Sequence, residues 1–321
     1  MIFKAYLRLF VTELMGLLLN QQQIDPLILA VLCNHCSDPS ATVRAKALSI
    51  LCDCIESRNP ALVIIFDTIF SGQQQQQQDS VDVDLLQLLQ SDEGVADPKA
   101  LMPQAGCLLK LLEERATDEK VHVRKNALHL LLTVMKRYGD GRLLTKELLR
   151  LLGHACRDAA LLVRRHMAQG FTELVLQYAE HVVVQRVWVR SVLPLILDGE
   201  SRVQEKTLES LELLVLKPLT SAEFGASALA WSVLDIVTDL GFSTYLSKAV
   251  ELWSRQKQLQ PALLRILQAS VEQHGNAAWT FLSIIARHMT FDNTMKVRIV
   301  EYFHYKRNCR FVSSSLKKGV W

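Results

Sequence analysis

With 321 residues, half of them hydrophobic, and only 13 glycines and 8 prolines, the chain can build two ordinary domains or one long repeat array. It has too little punctuation for a turn-rich β architecture. A formal net charge of +3 excludes a nucleic-acid reading from overall charge, so any such reading rests on local clusters. Seven cysteines, an odd number, and no N-x-Ser/Thr acceptor point to a reducing, intracellular setting.

In chain order, Lys4 and Arg8 precede an apolar run from Leu9 to Leu19. Glu13 interrupts it, and Asn20-Gln21-Gln22-Gln23 stands where a signal peptide carries small residues, so an amphipathic helix is predicted. Asp38 then opens a beat: Asp118, Asp158 and Asp198 recur at 40-residue intervals, and Asp38 precedes Asp118 by 80, twice the period. Valine stands five positions after each, at Val43, Val123, Val163 and Val203. Six positions on come Arg44, Arg124, Arg164 and then Gln204; thirteen on come Leu51, Leu131, Phe171 and Leu211. Such a register predicts stacked copies of one antiparallel helix pair, an all-α solenoid. Each Asp is expected to cap the second helix of its pair, accepting from the N–H groups that open it. The Val and Leu/Phe positions face the core, and Ala47 and Ala127 let helices approach closely.

Between Asp38 and Asp118 no register is visible. Residues 73–78 are six glutamines, with Asp79, Asp82 and Asp84 after them. Residues 71–97 are therefore predicted to be a mobile insertion, with a short helix over Val81–Gln90, and Pro98–Arg115 to lead into Asp118. In the third marked copy, Leu143–Leu152 reads as the first helix and Arg157-Asp158-Ala159 as the turn. Val163, Met167, Phe171, Leu174 and Val175 then line one face of the second helix. Beyond Leu216 helical periodicity continues over 222–239, 243–254, 258–273, 276–289 and 293–305, with Gly241 and Gly275 at breaks. The expected organisation is 1–70 N-terminal helices, 71–97 insertion, 98–216 regular repeats, 217–305 divergent helical repeats, and 306–321 a basic disordered tail. Every long apolar stretch is broken by charge, as by Arg186 and Arg190, so no membrane-spanning helix of about 20 residues is expected.

Catalytic motifs are missing: no P-loop, G-x-G-x-x-G, G-x-S-x-G or H-E-x-x-H is present. No enzyme, cofactor or metal is expected. Cys33-x-x-Cys36 invites zinc together with Cys52 and Cys54. However, Cys36 adjoins the Asp38 turn, whereas Cys52 lies roughly 18 Å along the second helix at about 1.5 Å per residue, so these read as core cysteines. Trp188, Trp231, Trp253 and Trp279 read as helix-packing residues in preference to a methyl-lysine cage.

Basic residues cluster at the repeat turns. Lys120, Arg124, Lys125, Arg164 and Arg165 are the candidate nucleic-acid contacts, able to neutralise phosphates along a ridge without reading sequence. A competing role is a ladder, with each recurrent Arg bridging to an acidic group of the next repeat. The repeat position favours the ladder for Arg44, Arg124 and Arg164; Lys125 and Arg165, extra to the pattern, suit solvent and phosphate equally. A second basic group, from Lys296 to Lys318, reads as the unpaired end of an array.

The stretches Asp38-Pro39-Ser40-Ala41-Thr42-Val43-Arg44 and Asp118-Glu119-Lys120-Val121-His122-Val123-Arg124 resemble HEAT repeats. Trp188 to Pro194 running into Asp198 to Lys206, with Tyr245 to Ala249 and Ala277-Ala278-Trp279, is similar to the D-type HEAT subunits of condensin II. That resemblance implies a non-catalytic scaffold in mitotic chromosome condensation, located in the nucleus on chromosomes. It implies kleisin and SMC subunits as partners, with ATP hydrolysis left to the latter, and contact with duplex DNA and histone tails. The competing expectation is a HEAT-type transport receptor or a general scaffold that never touches DNA.

Overall fold

The computed structural model describes residues 2–19, 26–71, 104–139, 143–221 and 227–288. The helix over Val81–Gln90, the helix over 293–305 and the tail 306–321 lie outside the described residues, as does all but Ser71 of the 71–97 insertion. Among the described residues every regular element is helical, as expected for an all-α solenoid, and no helix is long and apolar enough to cross a membrane. Two compact units divide the chain, Met1–Gly170 and Phe171–Trp321.

In the first unit, α1 (Ile2–Leu19) is the predicted amphipathic helix and packs on α2 (Pro26–His35) and α3 (Ala41–Glu56). It buries Thr12, Met15 and Leu19 and leaves Tyr6, Phe10 and Leu17 exposed at 67, 63 and 67 %. Helices α2 and α3 are the pair around Asp38. After α4 (Pro60–Ser71) come α5 (Ala105–Ala116) and α6 (Val121–Tyr138), the pair around Asp118. Helices α7 (Lys146–Ala155) and α8 (Leu161–Gln177) flank Asp158. Helix α7 starts later than its leucines suggest, because Thr145 caps it: the Thr145 hydroxyl accepts the Leu148 N–H at 3.3 Å, leaving Leu143 and Leu144 outside.

Helix α3 packs directly on α6. The Asp38 and Asp118 turns are thus neighbours in space, although 80 positions separate the two aspartates in sequence. Helix α4 steps aside and packs against both α3 and α6. The doubled spacing is a coincidence of insertion length. Val43, Ala47 and Leu51 of α3 and Val123, Ala127 and Leu131 of α6 are all in the core, as their register requires. Gly170 marks the closest approach of α8 to α6, since a Cβ there would lie 2.5 Å from Leu132 Cδ1.

In the second unit, α9 (Val182–Ser191) leads through a 3-10 turn at Leu193–Leu197 to α10 (Ser201–Leu211). A π-helical turn, Glu212–Leu216, then runs into α11 (Lys217–Thr220). Helices α12 (Ser227–Asp239), α13 (Ser243–Arg255) and α14 (Pro261–Ile285) complete it. Both glycine breaks fall where expected. Gly241, at φ +70°, ends α12 in a Schellman turn, with Phe242 N–H on Val237 O at 2.9 Å. Gly275, at φ +34° and ψ −108°, kinks α14. An alanine there meets no atom within 4 Å, so only the backbone objects. Gly275→Ala is expected to destabilise this unit by about 1–3 kcal/mol, read as a lowered circular-dichroism melting midpoint; an unchanged midpoint would show that the kink relaxes at no cost.

Candidate nucleic-acid interface

The repeat turn is built the same way four times. The aspartate's Oδ1 accepts the backbone N–H two residues on: Ser40 at 2.7 Å, Lys120 at 2.9 Å, Ala160 at 2.8 Å and Glu200 at 3.0 Å. This is an Asx turn. The expected cap is therefore corrected by one step: the aspartate grips the residue that precedes the helix, not an N–H inside its first turn. The recurrent arginine closes the turn from within. Its Nη1 donates to the Asp carbonyl, from Arg44 to Asp38 O at 2.8 Å, Arg124 to Asp118 O at 2.9 Å and Arg164 to Asp158 O at 2.8 Å. Gln204 keeps that bond with its neutral amide, donating to Asp198 O at 2.5 Å.

The other half of the guanidinium joins one repeat to the next. Arg44 Nε and Nη2 each donate to the Asp118 carboxylate at 2.9 Å. Arg124 does the same to Asp158 at 2.7 and 2.8 Å. Such bidentate forks are the geometry in which arginine binds a carboxylate best. Burial pushes the Asp118 carboxyl up, yet the bonds from Arg44 and the Lys120 N–H, with the charges of Arg44 and Arg115, outweigh it and hold it below the usual carboxylate range. Asp158 is depressed in the same way, against its burial, by Arg124 and the Ala160 N–H. The Asp158 hydrogen bond in turn raises Arg124.

A third rung escaped the sequence reading. Arg8 in α1 donates to both oxygens of Asp38, at 2.5 and 3.2 Å. Helix α1 thus plays the part of a second helix, although Ile2 stands where its aspartate belongs. The signal was Leu7-Arg8, matching Val43-Arg44, hidden because the capping residue is missing.

The five candidate phosphate contacts divide accordingly. Arg124 and Arg164 hold their own turns, and Arg124 also holds Asp158. Lys120 is exposed and sits 3.7 Å from the equally exposed Glu119, a pairing that costs little to break. Lys125 is half-buried on α6 and Arg165 exposed on α8, and neither makes an ion pair among the described residues. Of the five candidates, Lys120, Lys125 and Arg165 are thus the ones not engaged in closing a turn or joining repeats.

Cys36 is buried and donates to Leu32 O at 3.6 Å, as a core thiol does. Burial pushes Cys33 up to about 12 and raises Cys36 as well. Trp188, Trp231 and Trp253 lie in the core, with Trp188 Nε1 donating to Thr172 Oγ1 at 2.9 Å and Trp231 stacked 4.2 Å from His274. Trp279 is half-buried.

No family model matches the chain. Among curated proteins it is 30% identical over 298 residues to condensin-2 complex subunit D3-L of Xenopus laevis, covering 84% of this chain and 20% of that protein. It is 31% identical over 276 residues to condensin-2 complex subunit D3 of Mus musculus, covering 79% of this chain and 18% of the relative. Condensin-2 complex subunit CAP-D3 of Arabidopsis thaliana is 28% identical over 194 residues, 60% of this chain and 13% of the relative. The chain thus spans about a fifth of the length of the first two relatives. Among solved structures, two engineered proteins align over 81% and 80% of this chain at 12% and 14% identity, with TM-scores of 0.39 and 0.37.

Proposed function

Because this chain belongs to the D3-type family of condensin-2 subunits, we propose that it is a non-catalytic HEAT scaffold segment acting in chromosome condensation in the nucleus. In that role it stands beside ATP-hydrolysing SMC subunits, holds the kleisin chain, and touches duplex DNA or chromatin. The observation that carries the reading is the relationship to D3 subunits over 84% of the chain. The repeat turns support the DNA part. Arg44 and Arg124 are spent on joining repeats and Arg164 on closing its own turn, which leaves Lys120, Lys125 and Arg165 to meet phosphates beside that frame.

The test is duplex-DNA affinity against salt for the chain and for a Lys120→Ala/Lys125→Ala/Arg165→Ala variant. These three side chains lie outside the core, so circular dichroism is expected to be unchanged. Each lost phosphate contact should reduce the slope of log K against log salt by about 0.9, so a clear flattening is expected. An identical slope and affinity in the variant would remove DNA from this surface and leave the scaffold reading to a kleisin pull-down.

A further inference from the structure

We propose that Cys52, Glu56 and His129 form a binding site for a thiophilic divalent ion of the zinc class, pinned across the joint between the Asp38 and Asp118 repeats. The placement is local on one side and long-range on the other. Cys52 and Glu56 stand one helical turn apart on α3, so their side chains share a face. That face packs on α6, which presents His129. One ligand atom from each residue, a sulfur, a ring nitrogen and a carboxylate oxygen, lies within 4.8 Å of the others.

The donor chemistry selects the ion. Calcium and magnesium call for six or more oxygens, including water. A thiolate, an imidazole and one carboxylate suit a tetrahedral borderline ion, with a fourth position for water or another oxygen. The surroundings resemble an outer ligand shell. Thr133, one turn beyond His129 on α6, donates to Glu56 Oε1 at 3.3 Å and lies 3.5 Å from Cys52 Sγ. The His166 ring stands edge-on to His129 with centroids 5.1 Å apart, limiting its rotation. Glu56 is exposed while Cys52 is buried, so the site has an entry path and a dry floor.

Without an ion the thiol keeps its proton, since burial pushes Cys52 up to about 11. Binding forms the sulfur–metal bond and releases that proton to solvent. The ladder fork Arg44–Asp118 holds the joint near the start of α3; the ion would hold it two turns further along.

Titration of the full chain with cobalt(II) under reducing conditions tests this. One equivalent is expected to give a sulfur-to-cobalt charge-transfer band with the visible bands of a tetrahedral site, displaced by zinc. Cys52→Ser is expected to abolish the charge-transfer band. His129→Gln and Glu56→Gln are each expected to weaken binding by about 10–100-fold, the range seen even for outer-shell losses. Cys33→Ser/Cys36→Ser is expected to change nothing. The proposal is overturned if the wild-type chain gives no such band, if the band survives Cys52→Ser, or if it disappears with Cys33 and Cys36. Should Cys52→Ser fail to fold by circular dichroism, His129→Gln decides, with undiminished affinity counting against the site.

Discussion

Arg44→Met is expected to cost the Met1–Gly170 unit about 3–5 kcal/mol, the usual penalty for removing one partner of a buried pair. Arg44 and Asp118 are only 7 and 8 % exposed, so the variant strands a carboxylate where water reaches it poorly. Arg115 Nη1, 3.4 Å from the same carboxylate, offsets part of the loss and places the effect toward the lower end. Removing both charges tells the two contributions apart. Arg44→Met/Asp118→Leu is expected to recover most of the loss, because desolvation disappears together with attraction. Far-UV circular dichroism during chemical denaturation reads this. Tryptophan emission does not, since all five tryptophans follow residue 170. A loss below about 1 kcal/mol, the typical worth of a surface pair, would show that the joint is solvated. The same rung sets the acid limit. Asp118 and Asp158 are depressed in the folded chain, so their contribution is fully present above the unfolded carboxylate value, about 3.9. It is lost as pH falls through the folded values below that.

Trp188→Ala is expected to be the most damaging single truncation in the second unit, at about 3–5 kcal/mol. The indole is fully buried, and its N–H is satisfied by Thr172. Trp188→Phe keeps most of the volume and loses that hydrogen bond, so a smaller loss of about 1–2 kcal/mol is expected. The ratio of the two is the informative quantity. Equal losses would mean that the hydrogen bond, not the packing, holds α9 in place. Denaturation midpoints by circular dichroism give both values.

Much of this architecture was legible because the repeat writes itself locally. The Asp turn, the Val and Leu core positions and the Gly241 and Gly275 breaks depend on neighbours within a few residues. What stayed hidden depends on partners far along the chain. Periodicity placed Arg44 on a ladder but gave no way to see that its partner is Asp118, 74 residues on. Arg8 was overlooked because its rung lacks the aspartate that announces the others. The sequence sets Cys52 beside the cysteines of its own helix pair. Its actual neighbours, Glu56 one turn on and His129 in the following repeat, share no spacing motif. The basic candidates were legible as two kinds of residue, arginines at the repeat position and extra cations beside it. The geometry adds the partner: Arg124 is spent on Asp158.

The direct seat of α3 on α6 gives the array a mechanical property. The two repeats that contain α3 and α6 are clamped to each other by Arg44 and Asp118. A pull along the solenoid therefore passes from α3 into α6 through the clamp and its packed helices. The covalent path between them, with its six glutamines, runs in parallel with that clamp. Lengthening that path changes only a closure entropy, at about 0.6 kcal/mol per doubling, while the spacing of the repeats under load stays the same.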